Sequence, residues 1–159
     1  MNRIAPDAAA LLLRVVAALI FIPHGWSKIA GEGGSAAFAA GIAESYGIPV
    51  FLGHLAAYAE LFGAVLLFAG LFTRVDALLL AGTMFVATFI VQLPDALFEV
   101  PPDAIKAFVI LRGIELPLAL FAICCALVLT GGGRWSLDAL LRGILDKKRA
   151  AAEAAALQT

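Results

Sequence analysis

The side chains able to do chemistry stand inside or beside long apolar runs: Arg14, His24, Trp26, Lys28, His54, Tyr58, Glu60, Arg112 and Glu115. A charge at membrane depth is costly and faces a bundle interior or a cavity. On helices rising about 1.5 Å per residue, His24 lies about 9 Å below the outer end of its helix and Lys28 about 3 Å. His54 then lies at about 6 Å, Tyr58 at about 12 Å, Arg112 at about 10 Å, and Glu60 and Glu115 at about 15 Å. All but Lys28 share one slab, and they come from separate helices, so close packing brings together those that face inward. Arg112 and Glu115 are three apart and share a helix face. Glu60 is expected to pair with Arg112 or with a protonated His24. Arg14 is deeper, toward the opposite side, where it snorkels or meets Glu60.

Such a pocket suits a quinone. Tyr58 and His24 can hydrogen-bond its carbonyl oxygens. Glu60 or Glu115 can take the protons that a quinol releases on oxidation, since a buried carboxyl beside an arginine can be poised for proton exchange. The same set also reads as a salt-bridge network that only fixes helix register, most readily for His54 near the interface. His24, His54, Glu60 and Glu115 are metal-ligand types, but none has i, i+3 or i, i+4 spacing to another, so no metal site is expected. A haem could be held only if His24 and His54 sit on facing helices. Cys124 and Cys125 are adjacent, a spacing that ordinary disulfide geometry rarely bridges, and are read as packing residues. The sequence has no CxxC pair, Gly-rich nucleotide loop, G-x-S-x-G elbow or His-Glu-x-x-His. Redox chemistry would therefore need an organic cofactor or a partner protein.

The composition dictates the elements that must position these groups. Hydrophobic residues make up 63 % of the 159-residue chain and charged residues 14 %. Ordinary soluble domains carry about 45–50 % and about 25 %. Disorder is excluded because there is far too much to bury. A chain this short cannot hide that much apolar surface in water. The net charge of −1 lacks the basic footprint of nucleic-acid binding. Four runs reach the roughly 20 residues that a spanning helix needs: Ala8–Ala30, Val50–Phe72, Val75–Pro94 and Ile105–Thr130. Arg14 interrupts the first run and no convincing small-x-small site follows it, so it is read as a retained span rather than a signal peptide.

These runs predict an all-α polytopic membrane protein, one domain over residues 1–159, built as an antiparallel four-transmembrane-helix bundle. Arg3, Arg74, Arg134, Arg142, Lys147, Lys148 and Arg149 fall on one side of it. Glu32, Glu44, Asp95, Glu99 and Asp103 fall on the other, with Lys28 and Lys106 at helix ends. The positive-inside rule places both termini in the cytoplasm. Gly53 and Ala57, Ala59 and Gly63, and Ala77 and Ala81 are four apart, the small-residue spacing that lets helices approach in lipid. Phe38, Ile42 and Tyr46 predict a short helix on the outer face. Residues 135–149 predict an amphipathic helix on the anionic cytoplasmic leaflet, with Ser136 as N-cap and a frayed tail over 150–159.

The stretch LLLRVVAALIFIPHGWSKIAG, Leu11 to Gly31, resembles the opening of DoxX-family membrane proteins. That opening has an Arg in the first span and an H-G-x-x-K motif at its end, here Arg14 and His24-Gly25-Trp26-Ser27-Lys28. YGIPVFLGHLAAYAELFGAVLLFAGLFTR, Tyr46 to Arg74, is similar to the family in its acid, Glu60, and in a Gly-Leu-x-Thr-Arg turn. GGGRWSLDALL, Gly131 to Leu141, resembles the family's G-P-G-x-x-S-L-D ending, with Gly132 where proline is frequent. The resemblance covers about residues 10 to 141. It implies a four-span protein of the bacterial inner membrane. Some members are named as the small subunit of a thiosulfate:quinone oxidoreductase or a quinol oxidase, and others are encoded near redox- or metal-stress systems. The implied partners are the lipid bilayer and a redox protein, with self-association left open. Two other functions use the same features: a non-enzymatic membrane anchor or assembly partner for a soluble redox or metal-handling protein, and a transporter of small solutes or metal ions.

Overall fold

The computed structural model describes residues 4–98 and 106–156, and these are helical, with no strand among them. Four helices are long and apolar enough to cross a bilayer: α1, Ile4–Ala30; α3, Val50–Ala69; α4, Thr73–Phe98; and α5, whose apolar part is Phe108–Thr130. A short helix, α2 (Gly34–Tyr46), lies between α1 and α3, and α6 (Leu137–Ala156) follows α5. The expected start of the last span at Ile105, the charges of Arg3, Glu99 and Asp103, the Lys106 side chain and residues 157–159 lie outside the description.

Helix boundaries follow local chemistry. Gly33 and Gly34 take left-handed φ of 74° and 62°, which ends α1 and redirects the chain into α2. Gly47 (φ 68°) closes α2 by donating its N–H to Ala43 O, and Pro49 then precedes α3. Gly70 and Leu71 donate to Leu67 O and Leu66 O, both at 3.0 Å, the paired bonds of a Schellman ending. This stops α3 at Ala69, before the expected Phe72. The helix α6 runs on to Ala156, although the alanine run was expected to fray. Alanine is the strongest helix former, so nothing in that run interrupts propagation.

The spans form a closed ring, α1 against α3, α3 against α4, α4 against α5 and α5 against α1. Its core is Ala17, Phe21, Ala64, Leu67, Ala77, Leu80, Met84, Leu120, Cys124 and Leu127. Large apolar side chains such as Leu12, Leu19, Phe62, Leu78 and Leu129 point outward and are exposed. Lipid tails are as apolar as leucine, so there is no gain in hiding those residues, and close packing of small ones holds the helices together. The expected small residues Gly53, Ala57, Gly63, Ala77 and Ala81 are buried, and Ala59 is half-buried.

Both ends of the ring are tied by polar contacts. At the end that carries the start of α1, the Asp138 carboxylate accepts from the N–H groups of Phe72 (2.7 Å) and Thr73 (2.9 Å), capping α4. The Asp138 N–H donates back to Gly70 O at 3.0 Å. Asp7 Oδ1 accepts from the Arg134 N–H at 2.9 Å. Ser136 Oγ accepts from the Ala139 N–H at 3.2 Å, as an N-cap should. Burial alone would raise the Asp138 carboxyl, but the hydrogen bonds from the Thr73 and Phe72 amides and the charge of Arg142 outweigh it and hold that carboxyl below the ordinary value. At the other end, Tyr46 OH donates to Asp95 Oδ2 at 2.6 Å and fastens α2 to α4.

Candidate functional site

Two of the spans leave the regular α-helical ladder where the polar residues stand. Residues Ala59–Gly63 of α3 and Val86–Gln92 of α4 are π-helical. Such one-turn widenings recur at functional sites. Here the first carries Glu60 and the second ends at Gln92. On α1, Gly25 lies against the α3 backbone at this level: a Cβ placed on it would be 2.5 Å from Leu61 N and 2.8 Å from Leu61 Cα. The glycine of the H-G-x-x-K motif is thus a point where α1 and α3 approach too closely for any side chain. It sets His24 and Lys28 beside Glu60.

Lys28 Nζ donates to Glu60 Oε1 at 2.5 Å, and these side chains are 24 % and 3 % exposed. It is the salt bridge found among the described residues. The ammonium also sits 4.8 Å from the centre of the Phe38 ring on α2, an arrangement that favours the cation. Glu60 Oε2 is buried with no hydrogen-bond partner among the described residues. His24 Nδ1 is 2.8 Å from Ile20 O, one turn back. A carbonyl can only accept, so in the neutral ring Nδ1 carries the proton and Nε2 presents a lone pair. His24, Lys28 and Glu60 line one hollow of about 180 Å³ with Phe21, Met84, Ala87, Gln92, Leu116, Pro117 and Leu120. Small-molecule sites commonly run to about 300–1,000 Å³. This hollow therefore admits a ring-sized head group, with any tail left in lipid.

The other expected residues are placed elsewhere. Arg112 and Glu115 are exposed and, with Phe108 and Leu111, line a separate hollow of about 300 Å³ on α5. Their shared helix face is real, but it is turned away from Glu60, so neither is the partner of that acid. Helix spacing relates residues on one helix and is silent on how that helix is rotated in the bundle. His54 meets Ser35 Oγ at 3.1 Å, and the Ser35 hydroxyl donates weakly to Tyr58 OH at 3.4 Å. This chain ties α2 to α3, and Tyr58, which stacks on Phe62, does not line the hollow. Trp26 is 61 % exposed and also outside it. His24 lines the hollow, whereas His54 faces Ser35 on α2 and is not among the lining residues. Arg14 is fully buried at the opposite end, where Nη2 donates to Trp135 O at 2.8 Å. It does not reach Glu60. The glycine at position 70 is what admits its guanidinium, because a Cβ there would collide with Arg14 and with Ser136.

Sequence reasoning did not single out Gln92 or Pro117. Gln92 stood in plain view as an amide within an apolar run. Pro117 lacks an N–H, which leaves the Gly113 carbonyl without its usual helical donor. Asp76 and Thr73, both buried in α4 at the Arg14 end, were also passed over.

Comparison with known proteins agrees with this architecture. The DoxX family model matches residues 9–93. A Bacillus subtilis protein named "Putative oxidoreductase CatD" is 40 % identical over 87 residues, which cover 55 % of this chain and 62 % of that relative. The chain therefore spans somewhat under two thirds of that relative's length. An Escherichia coli protein named "Inner membrane protein YqjF" is 26 % identical over 135 residues, 85 % of this chain and 93 % of that one. No solved structure matches.

Proposed function

From the premise that this chain belongs to the DoxX family, we propose that it is the quinol-interacting membrane subunit of a small oxidoreductase system in the bacterial inner membrane. The observation that carries the reading is the Oε2 of Glu60, buried without a hydrogen-bond partner among the described residues on a side chain that lines the same hollow as His24. A quinol oxidised to its quinone releases two electrons and two protons. Glu60 Oε2 and His24 Nε2 are two acceptors placed to receive the hydroxyl protons. The role of His24 is then to accept from a quinol hydroxyl rather than to donate to a quinone carbonyl. Lys28 engages Oε1 and turns the Glu60 carboxyl toward α1, which leaves Oε2 as the acceptor without a partner among the described residues. The electrons leave to the redox centre of a partner protein, since none of the described residues lining the hollow offers a redox couple.

The relatives named an oxidoreductase and an inner membrane protein support the coarser class. The bias of arginine and lysine toward the end with both Asp7 and α6 supports cytoplasmic termini, which puts the hollow in the outer half of the membrane. The test uses the full chain in lipid nanodiscs, titrated with a short-chain benzoquinol, and the assembled system assayed for quinol-dependent electron transfer. Saturable binding that Glu60→Gln weakens at least tenfold, with electron transfer falling in step, supports the reading. Absence of binding, together with unchanged electron transfer in Glu60→Gln, overturns it.

A further inference from the structure

The end of the bundle opposite the quinol hollow carries a larger opening that the proposed function does not use. It is a hollow of about 450 Å³ between the start of α4, the end of α5 and the first turns of α6. Two arginines from different elements border it, Arg74 on α4 and Arg142 on α6. Arg74 Nη2 donates to Leu129 O at 3.2 Å and Arg142 Nε to Asp138 O at 3.1 Å. Each bond holds its guanidinium in place through one nitrogen. Neither arginine is in a salt bridge among the described residues. Gly131 (φ 75°) forms part of the floor, and a Cβ there would press within 3.3 Å of Arg74 Nε.

An anion in this hollow must coexist with Asp138, which also lines it. Both Asp138 oxygens are already engaged by the amides of Phe72 and Thr73, at the positive end of α4, which neutralises much of that charge. The remaining walls are Phe72, Val75, Leu141 and Leu145, exposed by 63, 58, 46 and 57 %. A soluble phosphate would gain nothing from such walls. A molecule carrying a phosphate on an acyl chain would be complemented at both ends, and the hollow lies where the spans α4 and α5 meet the membrane surface. We infer that Arg74 and Arg142 clamp the phosphate of an anionic phospholipid, with Phe72, Val75, Leu141 and Leu145 receiving the first part of its acyl chains. The lipid then bridges the α4 start to α6 and holds the amphipathic helix against the bundle at a defined place, beyond the general attraction of a basic helix to an anionic surface.

The experiment is native mass spectrometry of the full chain released from nanodiscs of equimolar phosphatidylglycerol and phosphatidylcholine. Wild type should retain phosphatidylglycerol selectively. Loss of one charge-assisted hydrogen bond to a phosphate lowers affinity by a factor of at least about five. Arg74→Gln with Arg142→Gln should therefore lower retention by roughly twenty-five-fold. Lys147 and Lys148 do not line the hollow, so Lys147→Gln with Lys148→Gln should change it less than about threefold. Arg142 is exposed and outside the bundle, so Arg142→Glu tests the same site without endangering the fold and should give at least a fivefold loss. Equal retention of both lipids, or equal losses in the Lys147/Lys148 and Arg74/Arg142 variants, overturns the assignment. Displacement of the lipid by millimolar inorganic phosphate would also overturn it and make the site one for a free phosphate.

Discussion

Replacing Lys28 by methionine strips Glu60 of its hydrogen-bond partner across the α1–α3 contact. The pair is 2.5 Å long, with the acid 3 % and the base 24 % exposed. Removing one member of a buried ion pair leaves an uncompensated charge and costs about 3–5 kcal/mol. Lys28 keeps a quarter of its side chain accessible, so the lower end applies, about 3 kcal/mol for Lys28→Met. Glu60→Met costs less, about 1 kcal/mol, because a lysine near its helix end can turn its ammonium to the interface. Changing both to methionine removes both charges at similar volume and should cost no more than about 1 kcal/mol. The coupling energy in the double-mutant cycle is therefore about 3 kcal/mol. It is measured by dodecyl sulfate-driven unfolding in mixed micelles, followed by far-ultraviolet circular dichroism at fixed ionic strength. A coupling below about 0.5 kcal/mol is what a solvent-exposed pair gives. That value would refute the buried, lysine-held acceptor on which the quinol reading rests.

Other outcomes test neighbouring parts of the argument. Gly25→Ala should destabilise by about 1–3 kcal/mol, because its methyl must push the α3 backbone at Leu61 away, whereas Gly41→Ala, with nothing within 4 Å of the new Cβ, should stabilise by about 0.5–1 kcal/mol in the same unfolding assay. Arg112→Ala and Glu115→Ala should leave quinol-dependent electron transfer within about twofold of wild type, since a hollow apart from Glu60 holds them; a drop comparable to that of Glu60→Gln would show that α5 turns them inward in the working protein. Asp138 titrates lower in the folded chain than in the unfolded one, so its contribution is fully present above the unfolded carboxylate pKa and is lost as pH falls through the native one. Wild type should lose about 1 kcal/mol across that acid window, read as easier proteolysis between α5 and α6, and Asp138→Ala should already lack it at pH 7.

How far the site could be read in advance depended on whether two residues share a helix. The motif His24–Lys28 is local, and its one-turn spacing stacks both groups on one face of α1 whatever the rest of the chain does. Ser136 as a cap is local in the same sense, because the bond closes within three residues. The pairing of Glu60 is not local. Depth along the membrane normal put Arg112 and His24 in one slab with Glu60 and left Lys28 outside it, yet the acid meets Lys28: a lysine side chain is long enough to reach along the helix axis, and depth leaves the rotation of each helix open. That rotation is decided by Gly25 against Leu61, by the π turns in α3 and α4, and by Ala96 under Gly113, none of which has a periodic signature.

Composition and run length alone determined that this chain spans a membrane four times as helices, since no soluble packing hides so much apolar surface and lipid offers backbone amides no other partner. They also determined that a few ionisable groups must lie inside, because those groups are spelled within the runs. Only the folded bundle decided which of them meet: Lys28 with Glu60, Asp138 with the start of α4, Arg14 with Trp135, and Arg112 and Glu115 with neither. In lipid the apolar faces of a helix are nearly equivalent, so the choice of face falls to steric fit at small residues, and steric fit exists only between helices already side by side.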